Sequence, residues 1–249
     1  IAAHRGFWQS ELAGQAQNSI ASLREAQNNG FWGSECDVHL TSDDVIIVNH
    51  DNSIEGKLIW DNPYSTFKAM TLKNGENPST LDEYLTQTEA SSNTVLVTEI
   101  KIQKTTNRED LLIDKTIQAM KEHNLFNPSR VIFISFSLNA CKYLVQKAPG
   151  FTIQYLNGDL SPEKLHEYGI TGIDYEQKTI LKHPEYVAEA HSFGMSVNAW
   201  TVNTEDNIQK MIDLGVDCIT TNEPLLVRKM LGDRELKLSK GNKPDPKAE

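Results

Sequence analysis

The chain has 249 residues, of which 39% are hydrophobic and 23% are charged, and this composition excludes a disordered chain and allows a buried core. Its 24 basic and 34 acidic residues give a net charge of −10, so we expect no general attraction to nucleic acid or to an anionic membrane surface. No apolar run approaches the roughly 18 residues of a membrane helix, and the three widely spaced cysteines form no CxxC pair, so we expect no stable bilayer insertion and free, buried thiols.

Short β-branched segments alternate with longer segments of helical period, a pattern typical of a parallel sheet with crossover helices. Strands are predicted at residues 1–4, 33–39, 95–101, 131–136, 152–156, 172–175, 196–201 and 217–221. Helices are predicted at residues 20–28, 81–89, 109–123, 138–147, 162–168, 184–193, 205–214 and 224–231. Eight strand–helix pairs in about 230 residues predict a closed TIM (β/α)8 barrel rather than a doubly wound sheet.

One interval departs from this alternation. Residues 51–78 carry Asn, Pro, Gly and Ser with little periodicity and follow a further short strand at 45–49, so we predict a small insertion after the second barrel strand that covers one barrel mouth. A single catalytic domain is therefore expected at 1–231, followed by a lysine-rich, solvated tail at 232–249. Because residues 1–3 are typical of the inside of a strand, we expect further chain upstream. An export signal and a cytoplasmic protein are both kept as alternatives, and the oligomeric state is left open.

Polar residues close several predicted barrel strands, at the end where TIM barrels carry their active sites. These residues are His4 and Arg5 after the first strand, Glu35 and Asp37 on the second, His50 after its extension, and Glu99 and Lys101 on the third. Glu35 and Asp37 are two residues apart on a strand, which places both carboxylates on one face, about 7 Å apart at the backbone. Such carboxylates repel unless a cation lies between them, and an oxygen-only set completed by Glu99 suits Mg²⁺, Ca²⁺ or Mn²⁺ rather than zinc. Exposed carboxylates at a strand end are the alternative.

The two histidines and the two cations in this set suit a displacement at phosphorus. Imidazole takes and gives protons near neutral pH, so His4 and His50 are candidates for base and acid. Arg5 and Lys101 are candidates for holding the non-bridging oxygens of a phosphate. A structural histidine or an exposed salt bridge explains each of them equally well when it is taken singly.

Together these residues resemble the glycerophosphodiester phosphodiesterase family. The matching segments follow family order over nearly the whole folded chain and lie at residues 3–6, 17–19, 33–38, 48–51, 78–83, 99–101, 135–136, 198–203 and 215–222. The resemblance implies a TIM barrel that hydrolyses a small-molecule glycerophosphodiester to glycerol 3-phosphate and an alcohol. It assigns acid–base catalysis to His4 and His50, and the binding of one divalent cation (Mg²⁺ or Ca²⁺, with Mn²⁺ also acceptable) to Glu35, Asp37 and Glu99. It also implies that Arg5 and Lys101 contact the phosphate. Phe136 and Trp200 would line the pocket beside the glycerol or the alcohol.

Three segments depart from the family pattern. Ala16-Gln17-Asn18 stands where many members have Pro-Glu-Asn, residues 52–56 replace an Arg-Thr-Thr segment, and Glu223 replaces Asp before Pro224. The first two changes leave the identity of the leaving alcohol open.

Two rival functions are therefore kept. The first is a lysophospholipase D or a sphingomyelinase D-like phosphodiesterase on the same barrel, which an open, apolar mouth would favour. The second is a non-catalytic barrel that binds a phosphorylated ligand. A nucleic-acid phosphodiesterase is disfavoured because no basic track accompanies the candidate site.

Overall fold

Eight parallel strands close into a barrel in a computed structural model, which describes the backbone of residues 1–241 and the side chains of residues 1–234. The strands of the chain are β1 (Ala2–Ala3), β2 (Gly33–Leu40), β3 (Ile46–Val48), β4 (Ser53–Ile54), β5 (Lys57–Leu58), β6 (Val95–Ile100), β7 (Val131–Ser135), β8 (Ile153–Tyr155), β9 (Gly172–Glu176), β10 (Ser196–Trp200) and β11 (Cys218–Thr221). The helices are α1 (Ile20–Asn28), α2 (Leu81–Glu89), α3 (Thr106–Glu122), α4 (Leu138–Lys147), α5 (Pro162–Glu167), α6 (Gln177–Lys182), α7 (Glu185–Ser192), α8 (Glu205–Leu214) and α9 (Pro224–Gly241).

The order of hydrogen-bonded strands closes the ring. It runs β1-β11-β10-β9-β8-β7-β6-β2, and β2 pairs in turn with β1. The short β3 extends this sheet by pairing antiparallel with β2, and β4 and β5 form a separate hairpin within the insertion. The predicted TIM barrel with a small insertion after its second strand is confirmed.

Strand alternation separates two apolar layers. Outward-facing side chains such as Cys36, Val38 and Phe133 join the helices in the main core. A smaller cluster, which includes Val97 and Ile132, fills the barrel interior. The inner cluster is small and leaves space at the carboxyl ends of the strands. The inward-facing residues that come next along each strand lie in this space, and they can be polar.

Most helices begin at a side-chain cap. The hydroxyl of the preceding residue accepts a hydrogen bond from a backbone N–H of the first turn at six of them, with caps Ser19, Thr80, Thr105, Ser137, Ser161 and Thr204. Such caps satisfy one of the four donors that every helix leaves free at its start. The helices α1, α2, α4 and α8 have the bounds that the sequence predicts.

The predicted bounds of α5 and α7 differ from the structure by a single residue at one or both ends, and larger differences concern three other helices. The cap at Thr105 starts α3 three residues earlier than predicted, and α6 was not predicted because its six residues are too few for a visible period. The prediction ended α9 at residue 231, but the helix continues to Gly241, because one interior glycine costs only about 1 kcal/mol and good helix formers follow it. The tail predicted from 232 is therefore helical through 241, and its remainder, 242–249, lies outside the described residues.

The insertion packs on the barrel through its own apolar cluster. Ile59 and Phe67 are fully buried against Ile47 of β3, so these two side chains seal the insertion rather than face solvent. Among the described residues, no helix combines the length and the hydropathy that crossing a bilayer requires.

Candidate active site

A cavity of about 150 Å³ lies inside the barrel at the carboxyl ends of the strands. It brings together eight of the nine predicted site residues, namely His4, Arg5, Glu35, Asp37, His50, Glu99, Phe136 and Trp200. The ninth, Lys101, lies beside the cavity with its Nζ 3.0 Å from Oε2 of Glu99. Strand-end position and the family resemblance together therefore predicted a set of residues that the fold brings into one place.

A strained turn after β1 positions the first two residues of this set. Arg5 has φ of +57° and Gly6 has φ of +80°, both in the left-handed region that favours glycine. A Cβ at Gly6 would lie 2.2 Å from Oγ of Ser22. The turn directs the backbone N–H of Arg5 onto Oε2 of Glu35 at 2.9 Å, while the guanidinium Nη1 donates to Oε1 of Gln17 at 2.7 Å.

The ring of His4 is held by an amide. Its Nδ1 lies 2.8 Å from Oδ1 of Asn222, and because an amide oxygen only accepts, Nδ1 carries the proton and Nε2 is the basic atom. The indole of Trp8 donates to the same oxygen at 3.3 Å. Burial, reinforced by the charge of Arg5, lowers the pKa of His4 to about 4. The ring is therefore neutral at pH 7.

Two neighbours hold the half-exposed His50. Its Nδ1 donates to Oδ1 of Asp51 at 2.7 Å, which leaves Nε2 as the remaining ring nitrogen. Its backbone carbonyl accepts from Nε2 of His39 at 3.2 Å. Burial lowers the pKa of His39 to about 4, so this second histidine is a neutral donor that fixes the main chain at His50.

Three buried carboxyl groups face one another on β2 and β6. Glu35, Asp37 and Glu99 are each at most 5% exposed, and their ligand oxygens all lie within 4.8 Å of one another. Asn18 braces the centre of this cluster: its Nδ2 donates to Oδ2 of Asp37 at 3.0 Å, and its Oδ1 accepts from the backbone N–H of Asp37 at 3.2 Å. Asn18 has φ of +53°, a conformation that Asn adopts more readily than most residues.

The protein alone does not keep all three carboxyl groups of this cluster ionised. Burial, together with the charge of Asp37, raises the pKa of both Glu35 and Glu99 well above the usual range. Burial acts in the same direction on Asp37, but a hydrogen bond with Glu99 and the charge of Lys101 outweigh it and lower its pKa. Burial likewise opposes the charge of Lys101, but Glu99 and Asp37 raise the pKa of its ammonium group. One lysine thus faces three carboxyl groups, and this excess of buried oxygen ligands fits a hard divalent cation.

The opposite side of the cavity is apolar. Phe136 and Trp200 pack edge to face with ring centroids 5.7 Å apart, and Ile134 and Leu156 line the cavity beside them. The indole Nε1 of Trp200 donates to the backbone oxygen of Asp174 at 2.8 Å, which fixes the plane of the ring.

Several residues that shape the site were not predicted. Asp51 directly follows His50, and Asn222 directly follows the last barrel strand. Both therefore lie at strand ends, where polar residues indicate an active site. Asn18 lies in a matching segment but received no role, because its contact with Asp37 joins residues 19 apart. Asp174 lies in the middle of β9, where no sequence signal distinguishes it.

Comparisons with known proteins identify the family of the chain. The model of the glycerophosphoryl diester phosphodiesterase family matches residues 4–226. A crystal structure of a glycerophosphodiester phosphodiesterase from Parabacteroides distasonis is 42% identical with a TM-score of 0.91, covering 94% of this chain and 97% of that one. A glycerophosphodiester phosphodiesterase from Caldanaerobacter subterraneus subsp. tengcongensis is 26% identical over 251 residues, 90% of this chain and 94% of its own. A phosphodiesterase from Oleispira antarctica, solved in complex with the product sn-glycerol-3-phosphate, is 23% identical with a TM-score of 0.77, covering 93% of this chain and 96% of its own. The resemblance predicted from the sequence is confirmed, and the chain belongs to the glycerophosphoryl diester phosphodiesterase family.

Proposed function

We propose that the protein hydrolyses glycerophosphodiesters to glycerol 3-phosphate and an alcohol, using His4 and His50 as its proton-transfer groups. The observation that carries the proposal is the meeting, in one cavity, of two histidines fixed through Nδ1 with a cluster of three buried carboxyl groups. The family of the chain and the product bound to the relative from Oleispira antarctica support the substrate class.

The three carboxyl groups would hold one divalent cation, with Mg²⁺ or Ca²⁺ as the ions that suit an oxygen-only set. A cation held there would supply Lewis-acid polarisation of a phosphoryl oxygen and would offset charge that accumulates in the transition state. The backbone N–H of Arg5 and the side chain of Asn18 fix the carboxylates of Glu35 and Asp37 in place beforehand, as the partners around metal ligands commonly do.

The chain's own residues would then bind the phosphate and move two protons. Arg5 and Lys101 hold non-bridging oxygens. His4 starts neutral because of its low pKa, so its Nε2 accepts the proton of the nucleophile, either water or the 2-hydroxyl of the substrate's glycerol. The phosphate anion raises the proton affinity of His4 once it is bound. His50, supported by the Asp51 carboxylate, donates a proton to the departing alkoxide.

Separate substitutions of the two histidines test this assignment. We expect both His4→Ala and His50→Ala to reduce kcat/KM for glycerophosphocholine by about 10²- to 10⁴-fold, the usual range for general acid–base groups. His183→Ala is the matched control, since that histidine lies on the surface and pairs with Glu185. Wild-type turnover in both His4→Ala and His50→Ala would refute the assignment.

The cation is tested by calorimetric titration of chelator-treated protein with Mg²⁺, Ca²⁺ and Mn²⁺. We expect one ion per chain in the wild type and at least tenfold weaker binding in Glu99→Gln, with Glu83→Gln, an exposed carboxylate on α2, as the control. Equal affinity in the wild type and in Glu99→Gln would place the ion elsewhere.

The rival substrate class is tested with the same protein. Release of choline is measured from glycerophosphocholine and from lysophosphatidylcholine. Because Ile59 and Phe67 of the insertion are buried against β3, they are not available to a lipid chain, and we expect the water-soluble diester to be preferred. Preference for the lysophospholipid would favour a lysophospholipase D.

A further inference from the structure

A buried carboxyl group in the cavity wall has no part in the mechanism above. Asp174 lies on the inner face of β9, directly across the eight-stranded ring from β2, which carries Glu35 and Asp37. Its side chain is 1% exposed, and its Oδ1 makes no hydrogen bond with any residue that the structure describes. A buried polar atom without a partner destabilises a fold, so such atoms in a cavity wall point to a ligand.

A second unpartnered atom lies on the next strand. Asn198 of β10 is in register with Asp174 and is fully buried. Its Oδ1 accepts from Oγ1 of Thr220, which also lines the cavity, at 3.1 Å. Its Nδ2 finds no acceptor in the described part of the chain. A free amide donor therefore stands one strand away from a free carboxyl group.

The charge state of Asp174 selects the kind of group that fits. Burial raises the pKa of Asp174 to about 8, and no cation contributes to the shift. The carboxyl group is therefore mostly protonated at pH 7, where it donates one hydrogen bond and accepts others. A hydroxyl group also does both, whereas an ammonium group requires an ionised carboxylate.

We propose that Asp174, with Asn198 beside it on the neighbouring strand, forms a subsite that hydrogen-bonds an uncharged hydroxyl group of the substrate. This inference rests on the proposed function, because the same cavity holds His4 and the acidic cluster on its other side. The subsite adds a polar contact to the apolar wall of Phe136 and Trp200, and it favours diesters that carry a polyol over diesters of simple alcohols.

Two variants of Asp174 separate the carboxyl hydrogen bond from the shape of the side chain. Asp174→Asn keeps a donor and an acceptor, and we expect kcat/KM for glycerophosphoglycerol within about threefold of wild type. Asp174→Leu removes both, and we expect a loss of at least tenfold on that substrate, in line with sites that lose a hydrogen bond to a substrate hydroxyl. On bis(p-nitrophenyl) phosphate, which has no hydroxyl group and can be cleaved only by water, we expect Asp174→Leu to change kcat/KM by less than twofold. If wild type does not cleave this diester, the affinity for ethyl phosphate provides the same comparison.

The end of the substrate that supplies the hydroxyl is identified with a third diester. Glycerophosphoethanol carries hydroxyl groups only on its glycerol. An equal loss in Asp174→Leu on glycerophosphoethanol and glycerophosphoglycerol assigns the subsite to the glycerol that both share. A loss confined to glycerophosphoglycerol assigns it to the leaving alcohol. Either result supports the subsite.

Three outcomes would overturn the subsite. An equal loss in Asp174→Leu on all three diesters would give Asp174 a structural role only. If Asp174→Asn and Asp174→Leu lose the same factor in kcat/KM, and only on glycerophosphocholine, Asp174 is an ionised carboxylate that binds a cationic alcohol. A melting temperature lowered in Asp174→Leu by more than a few degrees would indicate a carboxyl group that the fold itself needs.

A binding measurement keeps the test independent of turnover. Calorimetry compares sn-glycerol 3-phosphate with ethyl phosphate, which lacks the hydroxyl groups. We expect the wild type to bind glycerol 3-phosphate at least tenfold more tightly and Asp174→Leu to lose that preference. If wild type shows this preference and yet hydrolyses no glycerophosphodiester, the proposed function fails and the subsite stands. If wild type hydrolyses these diesters, the two phosphates bind equally, and Asp174→Leu shows no loss confined to glycerophosphoglycerol, the subsite fails alone.

Discussion

Replacement of Asp174 by Asn tests whether this buried carboxyl group is neutral, through the pH dependence of the free energy of unfolding. The pKa of Asp174 is about 8 in the folded chain and about 4 in the unfolded chain. Between these values the folded state binds a proton that the unfolded state has lost. The stabilisation by the protonated group is therefore fully present below about pH 4 and is lost as the pH rises through about 8.

The size of this effect follows from the shift. About four pKa units at 1.36 kcal/mol each correspond to about 5 kcal/mol between pH 4 and pH 8. Asparagine has nearly the same shape as the protonated carboxyl group and does not titrate. We therefore expect Asp174→Asn to gain stability over the wild type by about 1.4 kcal/mol for each pH unit in this range.

Urea denaturation of both proteins at pH 5, 6, 7 and 8, with a chelator present, measures the difference in the free energy of unfolding. Other titrating groups cancel in this difference, since burial alone accounts for the shift of Asp174. Asp213→Asn on α8 is the control, because Asp213 is exposed and its substitution should give a difference nearly constant with pH. A constant difference for Asp174→Asn as well would refute a neutral carboxyl group.

Three further predictions concern the turn after β1 and the groups around it. Asn222→Ala should lower kcat about 10- to 100-fold with little change in KM, because Oδ1 of Asn222 fixes the His4 ring, and steady-state kinetics with glycerophosphocholine measures the split. Gly6→Ala should lower the free energy of unfolding by more than 3 kcal/mol, because the added Cβ would lie 2.2 Å from Oγ of Ser22. Gly30→Ala is the control. Gly30 also has a positive φ, of +66°, but it has open space around it, so its substitution should lower the free energy of unfolding by only about 1 kcal/mol. Equal losses would contradict the steric argument. Mg²⁺ at about ten times its wild-type Kd should raise the Tm of the wild type by a few degrees and that of Glu99→Gln by at most about a third as much. Equal shifts would contradict a site at the carboxyl cluster.

The fold was largely predictable because its signals are local. The alternation of strands and helices specifies a barrel, and hydroxyl caps such as Thr80 and Thr204 mark where helices begin. The end of α9 was not predictable in this way. Gly232 is typical of a helix end, and whether a helix ends or continues there depends on the residues that follow and on its packing.

The candidate site was predictable where one strand end carries the information. Glu35 and Asp37 share a face because side chains alternate along a strand, and His4 closes an apolar run. The partners of these groups were not predictable, because they meet only after the barrel closes. The contact of His4 with Asn222 joins residues 218 apart, and the register of β9 with β10 is what places Asp174 beside Asn198.

The two sides of the cavity are formed by different strands, so substitutions can change one side without the other. The residues proposed for proton transfer and cation binding lie on β1, β2, β3 and β6 or within two residues after them, whereas the apolar wall and Asp174 lie on β7 through β10 or directly after them. No wall side chain hydrogen-bonds to the carboxyl cluster among the residues that the structure describes. If the proposed function holds, we therefore expect a substitution at Phe136 or Leu156 to alter which diesters are accepted while the reacting groups keep their geometry. In the proposed function, substrate preference and reaction chemistry depend on residues of separate strands, which makes the wall the first target for selecting variants with new substrates.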